Sequence, residues 1–193
     1  MPRICVYCGS NAGFRPDYAD AAKALGAAIA RSGQGVVYGG AHVGLMGMVA
    51  DAALAEGGEV IGILPESLRA KELAHDGLTS LEIVASMHAR KNRMADLSDG
   101  FVALPGGIGT LEEIFEVWTW AQLGDHSKPC GLLNVAGYYD RLCAFLDHQA
   151  EEGFIKPELR ATLIVEAEPE ALLERFAAYE APVVEKWIGR KER

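Results

Sequence analysis

Gly100-Phe101-Val102-Ala103-Leu104-Pro105-Gly106-Gly107-Ile108-Gly109-Thr110-Leu111-Glu112-Glu113 is the stretch that decides the fold. Its apolar run ends at Leu104, Pro-Gly-Gly breaks it, and an amphipathic run begins after Thr110. The pattern predicts a strand, a glycine loop and a helix N-terminus in immediate succession. Such a junction presents backbone N–H groups without intrahelical acceptors and the positive end of a helix dipole, so it can hold a phosphate. It also carries an acid, Glu113, one turn into the helix.

The same alternation extends in both directions. Strand patterns fall at residues 3–7, 35–38, 59–64, 81–84, 100–104, 131–135 and 163–165. Helical patterns fall at 17–31, 45–56, 87–97, 111–123, 138–152 and 169–179, and residues 66–80 form a polar connection without a clear period. Short apolar strands between amphipathic helices imply βαβ crossovers. The expected fold is therefore a doubly wound, Rossmann-like α/β domain, with a parallel sheet covered by helices on both faces. One nucleotide-binding domain is expected over residues 1–180, followed by a tail or short docking helix over 181–193. In such sheets ligands bind beyond the carboxyl ends of the strands, where strand order reverses. The turns Gly39-Gly40 and Pro105-Gly106-Gly107 and the start of the Met87 helix all follow strand ends.

A chain of 193 residues with 22 glycines suits one α/β domain with many tight turns. The net charge of −9 argues against nucleic acid or an anionic membrane as partner. An anionic small molecule then needs a local cationic patch, which Arg90-Lys91-Asn92-Arg93 supplies. No apolar run approaches the roughly 18 residues of a membrane span, and Met1-Pro2-Arg3-Ile4 carries no signal-peptide pattern, so a cytoplasmic location is expected. Cys5, Cys8, Cys130 and Cys143 lack the spacing of a zinc site, and buried reduced thiols are expected.

Missing motifs narrow the chemistry. The first strand leads into Cys8-Gly9-Ser10-Asn11 rather than Gly-x-Gly-x-x-Gly, and no acid closes the second, which argues against NAD. No Walker-type Gly-Lys-Ser/Thr loop, His-Glu-x-x-His or Gly-x-Ser-x-Gly elbow occurs. The five histidines are scattered without ligand spacing. No cofactor and no metal are expected.

At Pro105-Gly106-Gly107-x-Gly109-Thr110-x-x-Glu113 the chain resembles the Lonely Guy (LOG) family, the cytokinin riboside 5′-monophosphate phosphoribohydrolases. The blocks Cys5-Val6-Tyr7-Cys8-Gly9-Ser10, Tyr38-Gly39-Gly40, Gly44-Leu45-Met46-Gly47, Met87-His88-x-Arg90-Lys91, Thr119-Trp120-Ala121-Gln122-Leu123-Gly124 and Gly137-Tyr138-Tyr139 are similar to family blocks, in the same order. Two positions depart from the pattern. Ala41 stands where a third glycine is frequent, and Ile108 where tyrosine is. Similar sequences have also been called lysine decarboxylases, but the chain shows no pyridoxal-phosphate lysine motif.

The resemblance implies hydrolysis of the N-glycosidic bond of a nucleoside 5′-monophosphate, AMP or an N6-substituted AMP, to free base and ribose 5-phosphate. It also implies a homodimer. A non-catalytic nucleotide carrier or sensor of the same fold is the competing expectation. Arg90 and Glu113 are the implied catalytic residues. Gly106, Gly107, Gly109 and Thr110 are expected to hold the 5′-phosphate, with Ile108, Leu111 and Glu112 completing that substrate-binding stretch. Lys91 is read as a counter-charge to the substrate. Glu113 has a second reading, because Thr110-x-x-Glu113 also fits a capping box. Arg90 is open between polarising the departing base and fixing Glu113 in its charged state. Glu72 is open between substrate contact and a solvated loop acid, and Thr119 between substrate contact and a bond to its own helix.

Overall fold

The computed structural model describes residues 1–69 and 74–182. Among them, seven strands form one parallel sheet: β1 (Arg3–Tyr7), β2 (Gly35–Tyr38), β3 (Val60–Pro65), β4 (Ser80–Val84), β5 (Gly100–Ala103), β6 (Cys130–Leu133) and β7 (Leu163–Glu166). The helices are α1 (Pro16–Arg31), α2 (Gly44–Ala55), α3 (Glu66–Arg69), α4 (Met87–Leu97), α5 (Ile108–Leu123), α6 (Asp140–Glu151), α7 (Pro157–Arg160) and α8 (Pro169–Ala177). The sheet order is β4-β3-β2-β1-β5-β6-β7. Strands one to four step outward in one direction and five to seven in the other, so the order reverses between β1 and β5.

The five central strands are buried throughout or nearly so, which explains their continuous apolar runs. One core layer joins Leu25 and Ile29 of α1, Leu45 and Val49 of α2, and Leu172 and Phe176 of α8 to one face of the sheet. The other joins Met94 of α4, Ile114 and Trp118 of α5, and Leu146 of α6 to the opposite face. Helices on both faces satisfy the doubly wound expectation. Gly26 lets α1 and α2 cross closely, since a Cβ there would overlap the Val49 carbonyl. The buried Trp118 indole donates to Thr162 Oγ1 at 2.9 Å.

Several boundaries differ from the expected ones. The connection at 66–80 begins with a helical turn, α3, and a second short turn, α7, precedes β7. The expected helix at 138–152 starts instead at Asp140, after a 3-10 turn at Val135–Gly137 in which Ala136 (φ 49°) and Gly137 (φ 73°) are left-handed. The largest shift is at α5, which begins at Ile108. The expected tail lies, from residue 183 onward, outside the described residues. No helix among the described residues is long and apolar enough to cross a membrane.

One ion pair crosses a whole strand. Arg3 Nε meets Glu59 Oε2 at 2.6 Å and Nη2 meets Oε1 at 3.3 Å, reaching over β2 at Gly35. A Cβ on Gly35 would stand 2.9 Å from the Glu59 carboxylate. The hydrogen bond from Arg3 holds the Glu59 carboxyl below its usual range. A depressed carboxylate stabilises the fold above its unfolded pKa, about 4.3 for glutamate, and that contribution is lost as pH falls through the folded value. Glu59→Gln should therefore lower stability at pH 7 by up to about 1 kcal/mol for this part-exposed pair. The gap from the parent should close towards pH 3, as read by urea unfolding at the two pH values.

Candidate active site

The reversal of strand order opens a crevice of about 220 Å³ at the carboxyl ends of β1, β2 and β5. The segment after β1 contributes Cys8, Gly9 and Ser10; Gly39 follows β2; Met46 projects from α2; Met87, Arg90 and Met94 come from α4; and the first turns of α5 close the remaining side.

Helix α5 starts at Ile108, three residues before the expected position, with Gly107 as N-cap (φ −89°, ψ −160°) and no side-chain cap. This corrects the capping-box reading: Thr110 is the third residue of the helix and Glu113 the sixth. The early start has a steric cause. A Cβ on Gly106 would overlap the Thr110 hydroxyl, so only glycine lets the first turn fold back onto the loop, burying Thr110 to 4% exposure. The N–H groups of Gly107, Ile108, Gly109 and Thr110 then have no intrahelical acceptor, and Gly107, Gly109 and Thr110 line the crevice. A Cβ on Gly107 or Gly109 would meet nothing within 4 Å. The loop packs tightly behind and is open in front, which suits a bound anion.

Arg90 and Glu113 face each other across the crevice. Arg90 Nη2 lies 3.9 Å from Glu113 Oε1, with side chains only 9% and 13% exposed. The distance makes this an electrostatic pair rather than a hydrogen bond. Arg90 reaches the site from α4, whose first turn is capped by Ser86 Oγ accepting from Ala89 N–H at 3.1 Å. Space for the guanidinium comes from Gly39, where a Cβ would overlap Arg90 Nη2. Arg90 Nε is buried without a hydrogen-bond acceptor among the described residues, a cost the charged side chain carries at this position. Cys8 lines the same wall, but burial first, and the Glu113 charge second, push its thiol well up. It is a neutral wall residue, not a thiolate nucleophile. Cys5, beneath it, is pushed up to about 12 by burial.

The other expected site residues separate. Lys91 is buried, and two carboxylates of the protein already meet its charge. Its Nζ donates to Glu112 Oε1 at 2.7 Å and to Glu116 Oε1 at 3.0 Å. Burial opposes its charge, but the two carboxylates outweigh burial and raise its pKa. Glu112 lines the crevice while holding that lysine. Ile108 projects outward at 87% exposure. Leu111 packs against the core under α5 instead of lining the crevice. Thr119 is exposed, and its hydroxyl donates to the Phe115 carbonyl at 2.7 Å, the helix-internal alternative. Glu72 lies outside the described residues. Arg93 pairs with Glu82 at 2.7 Å on the surface, and Met94 is both core and wall. The sequence reading missed Glu116. Its signal was present, since Glu112 and Glu116 are four apart and share a helix face, and a buried lysine requires carboxylates.

A family model described as "Possible lysine decarboxylase" matches residues 46–176. A probable cytokinin riboside 5′-monophosphate phosphoribohydrolase of Oryza sativa subsp. japonica is 49% identical over 177 residues, spanning 92% of this chain and 71% of that protein. The cytokinin riboside 5′-monophosphate phosphoribohydrolase of Rhodococcoides fascians is 53% identical over 163 residues, spanning 84% of this chain and 82% of that protein. Among solved structures, the molybdenum cofactor binding protein of Rippkaea orientalis superposes with a TM-score of 0.70 at 26% identity, over 92% of this chain and 96% of the other. With about half of its residues shared over most of its length, the chain belongs to the family of cytokinin riboside 5′-monophosphate phosphoribohydrolases, the family its motifs resemble.

Proposed function

We propose that the crevice hydrolyses the N-glycosidic bond of AMP or an N6-substituted AMP, with Arg90 and Glu113 as the catalytic pair. The observation that carries this reading is the placement of a buried carboxylate and a buried guanidinium 3.9 Å apart, directly beside uncapped N–H groups at a helix start. The 5′-phosphate sits on the amides of Gly107 to Thr110. Glu113 is three residues further along α5, about 4.5 Å along the axis at 1.5 Å per residue. The sugar of a phosphate-anchored nucleotide therefore lies over the carboxylate.

Water adds at C1′ as the bond to the base nitrogen breaks; the departing base takes one proton from solvent, and the proton the water gives up returns to solvent through the carboxylate. The transition state carries oxocarbenium character. Glu113 stabilises that charge and accepts the proton of the attacking water. Arg90 places positive charge opposite the carboxylate and presents its guanidinium at the crevice wall. The thioethers of Met46, Met87 and Met94 form an apolar, polarisable wall that suits a purine face. The likeness to the molybdenum cofactor binding protein favours a second reading, a carrier that holds a nucleotide-like ligand intact. The buried Arg90–Glu113 pair, and identities near 50% to phosphoribohydrolases against 26% to the binding protein, weigh for the enzyme.

Incubation with AMP, followed by chromatography, separates the two readings: free adenine supports the hydrolase, and bound but intact AMP supports the carrier. Glu113→Gln should lower turnover by about 100-fold or more, with a melting temperature lowered only as far as the loss of the carboxylate opposite Arg90 requires. Near-parental turnover in this variant would remove it from the catalytic pair.

Two glycines give a complementary pair of outcomes. Gly109→Ala adds a methyl in open space within the first helical turn, so stability should hold or rise by up to about 1 kcal/mol. The KM for AMP should nevertheless rise about tenfold, as the methyl enters the phosphate position. Gly39→Ala, by displacing the Arg90 guanidinium, should lower kcat instead. Steady-state kinetics with thermal melts reads both.

A further inference from the structure

We infer that Tyr138 is a positioning residue: by holding the Gly106 carbonyl on the outer side of the loop, it aims the Gly107 N–H into the crevice. This rests on the phosphate-holding reading of that loop and identifies what sets its peptide planes.

Tyr138 lies beyond β6, in the segment that leads into α6. Its hydroxyl donates to the Gly106 carbonyl at 2.5 Å, and the adjacent Tyr139 hydroxyl donates to the Leu104 carbonyl at 2.7 Å. Two consecutive phenols thus hold the two carbonyls that flank Pro105's own. The middle carbonyl, that of Pro105, accepts from Gly9 N–H at 3.1 Å. Every carbonyl from Leu104 to Gly106 is therefore held by a defined donor.

In a trans peptide, the carbonyl of one residue and the N–H of the next point to opposite sides. Tyr138 stands in a neighbouring hollow, together with Tyr18, Asn11 and Gly106, and does not line the crevice that holds Arg90 and Glu113. Gly107 borders both spaces. With the Gly106 carbonyl turned towards Tyr138, the Gly107 N–H faces the other way, towards the crevice. Gly107 has no side chain to resist rotation of that peptide, and a Cβ there would meet nothing within 4 Å. The tyrosine bond supplies the restraint the glycine lacks.

The segment that presents the tyrosines is itself tightly held. Asn134 Oδ1 accepts from Tyr139 N–H, and Asn134 Nδ2 donates to Asp140 Oδ1, both at 2.7 Å. Ala136 is left-handed at φ 49°, a conformation an L-residue with a Cβ keeps only where its surroundings impose it. The Tyr138 ring packs edge-on against Tyr18 at 5.6 Å and Tyr139 at 4.9 Å, so a phenylalanine would keep the ring and lose only the hydroxyl.

The test is Tyr138→Phe in the full chain, with ribose 5-phosphate titrated by calorimetry and AMP and adenosine followed kinetically. Ribose 5-phosphate should bind about tenfold more weakly, the scale of one lost hydrogen-bond restraint. The KM for AMP should rise in proportion while kcat, the melting temperature and inhibition by adenosine, which has no phosphate, stay at parental values. Unchanged ribose 5-phosphate affinity would overturn the inference, as would an equal loss for adenosine, which would mark a general disturbance of the site. The calorimetry decides the inference even if AMP is not hydrolysed by the parent, an outcome that would remove only the hydrolase reading. A parent that does not bind ribose 5-phosphate would overturn both.

Discussion

Two cations on α4, buried against carboxylates on α5, set the geometry on which the site depends. Lys91 is clamped between Glu112 and Glu116, and its neighbour Arg90 stands opposite Glu113. The lysine bridge fixes the two helices against each other, and the arginine pair is carried along one residue away. Buried ion pairs add little net stability, because desolvation offsets their attraction, but breaking one leaves a stranded charge and is costly. Their value here is positional. They tie α4 to α5, and that contact closes one wall of the crevice.

Glycine makes the remaining fit possible in two distinct ways. At Gly39 and Gly106 a side chain would occupy space already taken, by the Arg90 guanidinium in one case and by the Thr110 hydroxyl in the other. At Gly107 and Gly109 nothing stands where a side chain would go, and both residues line the crevice. The first pair permits packing and the second permits approach of an anion. Both belong to one short loop and the strand end opposite it, so the glycine loop and the acid–guanidinium pair lie within a few residues of the point where strand order reverses.

Much of this was legible in the chain. Apolar strands alternating with amphipathic helices led to the doubly wound sheet, and glycine turns after strand ends led to the crevice. Two local readings lacked the same information. The capping box at Thr110–Glu113 is locally sound, yet the helix begins three residues earlier because Gly106 accepts the first turn against it. Lys91 reads as a spare cation beside Arg90, yet its partners are 21 and 25 residues away on another helix. Local spacing identifies residue types suited to a task. It does not show which of them tertiary neighbours have already engaged.

The sequence by itself determined the order of the seven strands and the six longer helices, the loop suited to an anion, and the acid and guanidinium suited to glycosidic chemistry. Hydrophobic period and turn residues encode those features within a few positions of each other. Only the tertiary structure decided that Arg90 faces Glu113, that Lys91 pairs with Glu112 and Glu116, and that Tyr138 reaches the Gly106 carbonyl. Each of these depends on how separate elements dock, through charge burial, steric room at glycine and hydrogen bonds between distant segments, and none of those is written in the spacing of any single segment.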